Sequence, residues 1–364
     1  MATLKDVARE SGLGIGTVSR ALSGHPRVSP DTRRLVEETA KRIGYQSNAL
    51  ARALRRSESK AIGLVIPDLE NEFYMSGAAI LQDILTAQGY LLVLCCSTND
   101  PTTDGNLLAS LAERRVDGIA HVPCSPEGSS AIRALNPRLP VVEYARRSAS
   151  DAVDSVTGDE RRGVEAVVDH LAGLGHTSIA MIAGPPGLST TDDRAGGFES
   201  ACRRLRLRKR DCPVLHGPYG IGWGREAITR ILRDHPDVTA VFASSSQLAM
   251  GALEALRGVG VGVPGDMSLV GFLNPEWFDV ASPPLTTYDL PLKDMGGMAA
   301  QLLLQRIREG ADSAAREPRT VRIEGRMVIR ESTAAPRAGR PPGWHQFLRH
   351  RCRYDGNAGC PATV

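Results

Sequence analysis

The chain has no long apolar run. Its longest, Tyr90 to Cys96, falls far short of the roughly 20 residues that span a bilayer, which excludes a transmembrane helix. The first residues, MATLKDVARESG, carry charge where a secretory signal needs an apolar stretch, so a cytoplasmic protein without a membrane partner is expected. The seven cysteines are odd in number and include no CxxC pair, which argues against a disulfide framework or a zinc ribbon. Cys95, Cys96, Cys124, Cys202 and Cys212 read as buried, reduced thiols. No GxSxG, HExxH or GxxxxGK[ST] motif occurs, so the common hydrolase, zinc-protease and phosphate-loop chemistries lack a carrier. Neither an enzyme nor a cofactor is expected. Aromatics are only 4%, yet 42% hydrophobic residues suffice for sizeable cores, and 37 Gly with 23 Pro exclude a collagen-like or wholly disordered chain. At 364 residues, two or three domains are expected.

What is present is unevenly placed charge. Residues 1–60 hold 12 Lys/Arg against 6 Asp/Glu and residues 334–364 hold 5 against 1, so with a total of +3 the stretch between is acidic. A basic head on an acidic body points to a polyanion at the head, although solvated basic termini have the same composition.

The head reads as helical. Thr3-x-x-Asp6 opens a helix as a capping box, and Leu4, Val7 and Ala8 form its apolar face up to Gly12. After the turn Gly12-Leu13-Gly14, residues 15–22 place Val18, Ala21 and Leu22 on one side, and Gly24 stops them. Ser29-Pro30 caps a third helix with the face Leu35, Val36, Thr39, Ala40 and Ile43, stopped by Gly44. Two short helices across a tight turn, followed by a third, predict a helix-turn-helix, whose second helix can enter a DNA major groove. Its outer face would be Ile15, Gly16, Thr17, Ser19 and Arg20. Arginine can read guanine through two hydrogen bonds, and Ser and Thr hydroxyls reach base edges or phosphates. A helical cap on a larger protein has the same periodicity. Gly12-x-Gly14-x-Gly16 is not a dinucleotide loop, because it follows a helix and no suitable acidic residue comes about 20 positions later. Asn48 caps ALARALRR at 49–56, too short for a stable free helix; it would fold against DNA or a partner, or serve as a basic linker.

From Ala61 short apolar strands alternate with amphipathic helices. Strands are predicted at 61–66, 90–96, 117–122, 139–144, 178–183, 238–243, 267–272, 320–324 and 327–331. Helices are predicted at 77–88, 104–115, 128–135, 160–174, 193–206, 222–234, 246–257 and 292–309, with Asp192, Asp193 and Arg194 just before one of them. Alternation of this kind means parallel sheets with right-handed crossovers, and the length suits two doubly wound α/β lobes with a ligand cleft between them.

Specific stretches carry a resemblance. TLKDVARESGLGIGTVSRALSG, HPRVSPDTRRLV, GYQSNALARALRR and IGLVIPD resemble the lactose/galactose-repressor (LacI/GalR-type) family of bacterial transcription regulators. RVDGI at 115–119, HLAGLGHTSIAMIAGP at 170–185, AVFASS at 240–245, VPGDMSLVGF at 263–272 and PPLTTYDLP at 283–291 continue the likeness, which covers residues 2–333. It implies a helix-turn-helix DNA-binding domain at 1–47, a hinge helix and linker at 48–60, and a two-lobed core at 61–333 like a periplasmic binding protein. Lobe 1 would take about 61–157 and 291–318, and lobe 2 about 158–287 and 319–333. The implied partners are palindromic double-stranded operator DNA, a second copy of the chain (a tetramer is also open) and a small-molecule effector. The implied DNA-contacting residues are Thr3, Ile15, Gly16, Thr17, Ser19, Arg20, Ser29, Thr32 and Tyr45 in the head. In the hinge they are Asn48, Arg52, Leu54 and Arg55, with Leu54 as a minor-groove wedge. The implied effector residues are Phe73, Tyr74, Arg146, Arg194, Tyr219, Ser246 and Leu273.

The chain departs from the family where carboxylates or amides usually hold sugar hydroxyls: it has Ala145, Ser245-Ser246 and Leu273. Arg146 and Arg194 remain without those acidic partners, which biases the expected effector toward an anion. The segment 334–364 has no counterpart in the family and reads as a basic, disordered tail. Its His345, His350, Cys352 and Cys360 match no standard metal spacing. The alternative to an operator-binding repressor is a ligand-binding α/β protein or enzyme whose helical head does not read DNA.

Overall fold

Caps set the limits of the head's three helices, α1 (Leu4–Ser11), α2 (Ile15–Leu22) and α3 (Pro30–Arg42). The structure is a computed structural model that describes residues 2–23, 25–45, 58–149, 152–310 and 316–337. Thr3 and Asp6 complete the capping box, the Thr3 N–H donating to Asp6 Oδ2 at 2.9 Å. Gly12, at φ 68, turns the chain out of α1 as only glycine does without strain. Ser29 Oγ accepts from the Thr32 N–H and Pro30 begins α3. The helices close over Val7, Ala8, Val18, Ala21, Val36 and Ala40. Leu35, expected inside, is 46% exposed. One residue turns a helix by about 100°, so a face centred on Val36 and Ala40 leaves Leu35 at its edge.

The chain divides into two units, Met1–Lys60 and Ala61–Val364. The second contains two six-stranded sheets of like order. Sheet A runs β11-β5-β4-β3-β1-β2, from β1 (Ala61–Ile66), β2 (Leu91–Cys96), β3 (Gly118–His121), β4 (Val141–Tyr144), β5 (Asp154–Gly158) and β11 (Thr320–Ile323). Sheet B runs β12-β10-β9-β8-β6-β7, from β6 (Ile179–Ala183), β7 (Val214–His216), β8 (Ala240–Ala243), β9 (Ser268–Phe272), β10 (Thr286–Asp289) and β12 (Arg326–Val328). Neighbours are parallel except β10 and β12. The connecting helices are α4 (Glu72–Ala87), α5 (Pro101–Glu113), α6 (Ser130–Leu135), α7 (Glu160–Gly173), α8 (Ser189–Arg204), α9 (Ile221–Asp234), α10 (Ser246–Gly258), α11 (Trp277–Val280) and α12 (Leu292–Glu309). None of the described helices is long and apolar enough to cross a membrane.

Several expectations change. Residues 320–323 pair with β5 in sheet A, so the third crossing between the lobes falls at 324–325 and not before 319. Strands β5, β7 and β10 and helix α11 were not anticipated. DSVTG and TTYD lack the apolar signal of an interior strand, yet β5 is buried throughout and β10 nearly so. Their polar groups are satisfied within the fold: Asp154 takes two hydrogen bonds from Arg306, at 2.8 and 2.7 Å, and Ser155 Oγ meets Thr320 Oγ1 at 3.1 Å. Helix α4 begins at Glu72 rather than 77, because Asn71 Oδ1 caps the Phe73 N–H. Helix α8 begins at Ser189, which puts Asp192, Asp193 and Arg194 inside it. The apolar β2 is an edge strand and only half covered, so Cys95 and Cys96 are not buried thiols. Residues 334–337 are not free tail: the Ala334 N–H donates to Ser268 Oγ at 3.1 Å, and its carbonyl accepts from His176 Nε2 at 2.9 Å. Residues 338–364, with the tail's His and Cys residues, lie outside the described residues.

Candidate functional site

Two sites follow from the sequence, one in each unit. In the head, the inward side of α2 is fixed by Val18 and Ala21. Its other side leaves Ile15 47% exposed, with Gly16 and Arg20 also open and Thr17 and Ser19 half-covered. Arg20 Nε donates to the Gly16 carbonyl at 3.0 Å, which lays the guanidinium along its own helix. Thr3 and Thr32 engage capping partners through their hydroxyls: Thr3 Oγ1 donates to Asp6 Oδ2 at 2.7 Å, and Thr32 Oγ1 lies 2.8 Å from Ser29 Oγ. Tyr45 packs against the helical core. Asn48, Arg52, Leu54 and Arg55 lie outside the described residues.

In the second unit a cleft opens between the lobes at the C-terminal strand ends, where doubly wound sheets bind ligands. Lobe 1 contributes Phe73, Tyr74 and Arg146, and lobe 2 contributes Arg194, Tyr219 and Leu273. Six of the seven expected residues therefore meet. The seventh, Ser246, faces an adjoining cavity, and Ser245 takes its place. Asn71, Ala145, Glu160 and Thr190 also line the site. Glu160 was legible only as the first residue of a predicted helix and Asn71 carried no signal in the sequence, because their approach to the cleft depends on how the lobes fold together.

The two arginines differ. Arg194 Nε donates to Glu160 Oε2 at 2.7 Å, its Nη1 donates to the Ser244 carbonyl at 2.5 Å, and its guanidinium lies 4.2 Å from the Phe272 ring centre. Burial, the largest single influence, would lower its pKa, but the Glu160 carboxylate together with Tyr219 and Tyr74 raises it. The expectation that Arg194 lacks an acidic partner is therefore wrong. Glu160, at the start of α7, takes the part that the departures at 145, 246 and 273 had seemed to leave empty. Among the described residues Arg146 donates to neutral acceptors only, Asn99 Oδ1 at 3.4 Å and the Pro123 carbonyl at 3.3 Å, and lies 5.6 and 5.8 Å from the ring centres of Tyr74 and Tyr219. Tyr219 is steadied by Thr191 Oγ1 at 3.0 Å, and burial raises the Tyr74 phenol above its ordinary pKa. Across the cleft the Arg147 N–H donates to Ser189 Oγ at 2.9 Å, and Gln247 Nε2 donates to Asp68 Oδ2 at 3.5 Å.

A second constellation looks catalytic and is not placed to act. His121 lies 2.8 Å from both Ser129 Oγ and Asp104 Oδ2. All three are at most 3% exposed, and none lines the cleft. Glu143 extends the string, accepting from the Ser129 and Ser148 N–H groups at 3.1 and 2.7 Å, so the network ties together two loops beside Arg146.

Comparison with known proteins agrees with this two-part design. Residues 3–48 match the model for bacterial regulatory proteins of the lacI family, and residues 168–333 match that for a periplasmic binding protein-like domain. Catabolite control protein A of Priestia megaterium is 30% identical over 91% of this chain and 99% of its own. The lac repressor dimer bound to operator and the anti-inducer ONPF is 25% identical, with a TM-score of 0.82 over 92% of this chain and 99% of its own. The transcriptional regulator CelR in complex with cellobiose is 28% identical, with a TM-score of 0.68 over 91% of this chain and 100% of its own. A helix-turn-helix head, a two-lobed core with a cleft and full-length similarity to named regulators lead to one conclusion: the chain belongs to the lacI family of bacterial regulatory proteins and is a DNA-binding transcriptional regulator.

Proposed function

We propose that the chain is a non-enzymatic, cytoplasmic repressor that binds a palindromic operator as a homodimer and is modulated by an anionic effector held at Arg146. In this reading residues 1–47 bind DNA, 48–60 form the hinge and 61–333 form the effector-binding core, with the crossing at 324–325 taken as the lobe boundary. Arg20 and Thr17 read bases, while Arg52 and Arg55 of the hinge meet phosphates and Leu54 enters the minor groove. The single observation that carries DNA reading is the outer face of α2, where Arg20 is exposed on a helix whose other side is locked into the head's core. A non-enzymatic role is supported by the buried, inaccessible setting of the Ser129–His121–Asp104 string.

The anionic effector reading rests on charge. Arg194 is neutralised by Glu160, whereas Arg146 meets two neutral oxygens, so one positive charge is left facing the cavity. An effector that prefers one cleft geometry shifts operator affinity by as much as its affinities for the two geometries differ.

A gel shift on a palindromic operator with a salt titration tests DNA reading. Affinity should fall steeply with salt as displaced counterions are released. Arg20→Ala should cost about 1–3 kcal/mol on the operator and flatten preference at one base pair. Equal losses on operator and random DNA would remove Arg20 as a base reader.

A further inference from the structure

We infer that the effector is a small monoanion with an apolar body, such as an aromatic or branched aliphatic carboxylate, and that Leu273 and Ala145 select it. The inference rests on the preceding proposal that an anion binds at Arg146.

The two residues occupy equivalent places. Ala145 follows β4 and Leu273 follows β9, the third strands of two sheets with matching order. Each donates its N–H to the next strand over the same distance, Ala145 to the Val156 carbonyl and Leu273 to the Tyr288 carbonyl, both at 2.8 Å. Each has a left-handed backbone, with φ of 63 and 70. Glycine, asparagine and aspartate enter that region most readily, whereas a branched aliphatic side chain is strained there. A strained residue in a ligand cavity is a pointer to function. Here both left-handed positions put an apolar side chain on the cavity wall, one from each lobe.

The rest of the wall fits the same ligand. Phe73, Tyr74 and Tyr219 supply aromatic surface. Of the polar groups, Glu160 is engaged by Arg194, Asn71 Oδ1 by the Phe73 N–H, Ser245 Oγ by the Leu248 N–H and the Tyr219 hydroxyl by Thr191 Oγ1, while Thr190 and the Asn71 amide nitrogen are the remaining neutral polar groups of the wall. The charged lining residues are Arg146, Arg194 and Glu160, a net single positive charge. A polyhydroxylated ligand would bury hydroxyls against Leu273 and Ala145 without acceptors, and unmade buried hydrogen bonds weaken binding. A monoanion with an apolar body needs only Arg146.

Calorimetry on the full chain tests this with benzoate, 3-phenylpropionate and 4-methylpentanoate against gluconate, glucose 6-phosphate and glucose. At least one apolar carboxylate should bind about tenfold or more tighter than gluconate. Leu273→Asp should erase that ratio. Because both ligands are monoanions, the added charge cancels in the comparison. Ala145→Asp applies the same test from the other lobe should Leu273→Asp fail to fold. Tighter binding of gluconate or glucose 6-phosphate, an unchanged ratio in both variants, or no binding by any apolar carboxylate overturns the inference. If gluconate binds best and Arg146→Gln abolishes it, the anion reading stands and only the apolar body falls. If glucose alone binds and Arg146→Gln leaves that binding intact, the anion reading falls as well.

Discussion

Lobes 1 and 2 share a strand order and meet the cleft with equivalent left-handed residues, yet they treat charge differently. Lobe 2 holds Arg194 in a closed ion pair with Glu160, both about 95% buried, on the face of Phe272. Arg146 of lobe 1 lies between two weak carbonyl contacts from its own lobe and two tyrosine rings, Tyr74 of lobe 1 and Tyr219 of lobe 2. An equally buried cation can therefore be structural or available, depending on whether a carboxylate shares its seat. Only the second kind gains from an incoming anion. The lobes also differ in helix packing. In lobe 2, α9 and α10 touch so closely that a Cβ on Gly251 would lie 2.0 Å from the Ile221 carbonyl oxygen.

The comparison is broken most severely at Glu160. Glu160→Gln leaves Arg194 buried without a counter-charge and should cost about 3–5 kcal/mol in urea unfolding of the chain. A loss under about 1 kcal/mol would mean that Arg194 is as replaceable as a surface ion and that the two arginines are alike after all. Next in size is Gly251→Ala, which drives a methyl group into backbone that cannot move aside as a flexible side chain would. The expected loss is about 1–3 kcal/mol, while Arg146→Gln in lobe 1 removes a buried charge that has no carboxylate partner and should cost less than Glu160→Gln. Equal destabilisation by Arg146→Gln and Glu160→Gln would contradict the division into a structural and an available arginine.

The smallest effect is an acid sensitivity expected of lobe 2. Burial holds His170 and His176 below the ordinary histidine pKa. A histidine shifted downward stabilises the fold while it is neutral, and that contribution is lost as pH falls through the ordinary value near 6.5 toward the lower folded value. His176 Nε2 donates to the Ala334 carbonyl, a bond the charged ring keeps, and Nδ1 faces Thr239 Oγ1 at 2.8 Å, so protonation at Nδ1 should disturb the Thr239 contact first. The melting temperature should fall between pH 7 and pH 5, and amide exchange near Thr239 should quicken before that in β1. Uniform quickening across both lobes would remove these two histidines as the cause.

Local chemistry alone determined much of this protein. Capping boxes, Gly stops and a 3.6-residue period specify α1, α2 and α3, because those signals act within a few residues and need no distant partner. The alternation of strands and helices specified parallel sheets, whereas six of the cleft residues were named only through the family resemblance. Other features were decided only when the chain closed on itself. DSVTG and TTYD are interior strands because Arg306, Thr320 and the neighbouring backbones satisfy their polar groups, and nothing in those five- and four-residue stretches announces it. The apolar run at β2 lies half in solvent because it falls at a sheet edge. Arg194 reads like Arg146 along the chain. Glu160, 34 positions away from Arg194, reaches it only through the packing of α7 on α8, and that tertiary contact decides which arginine is free to meet a ligand.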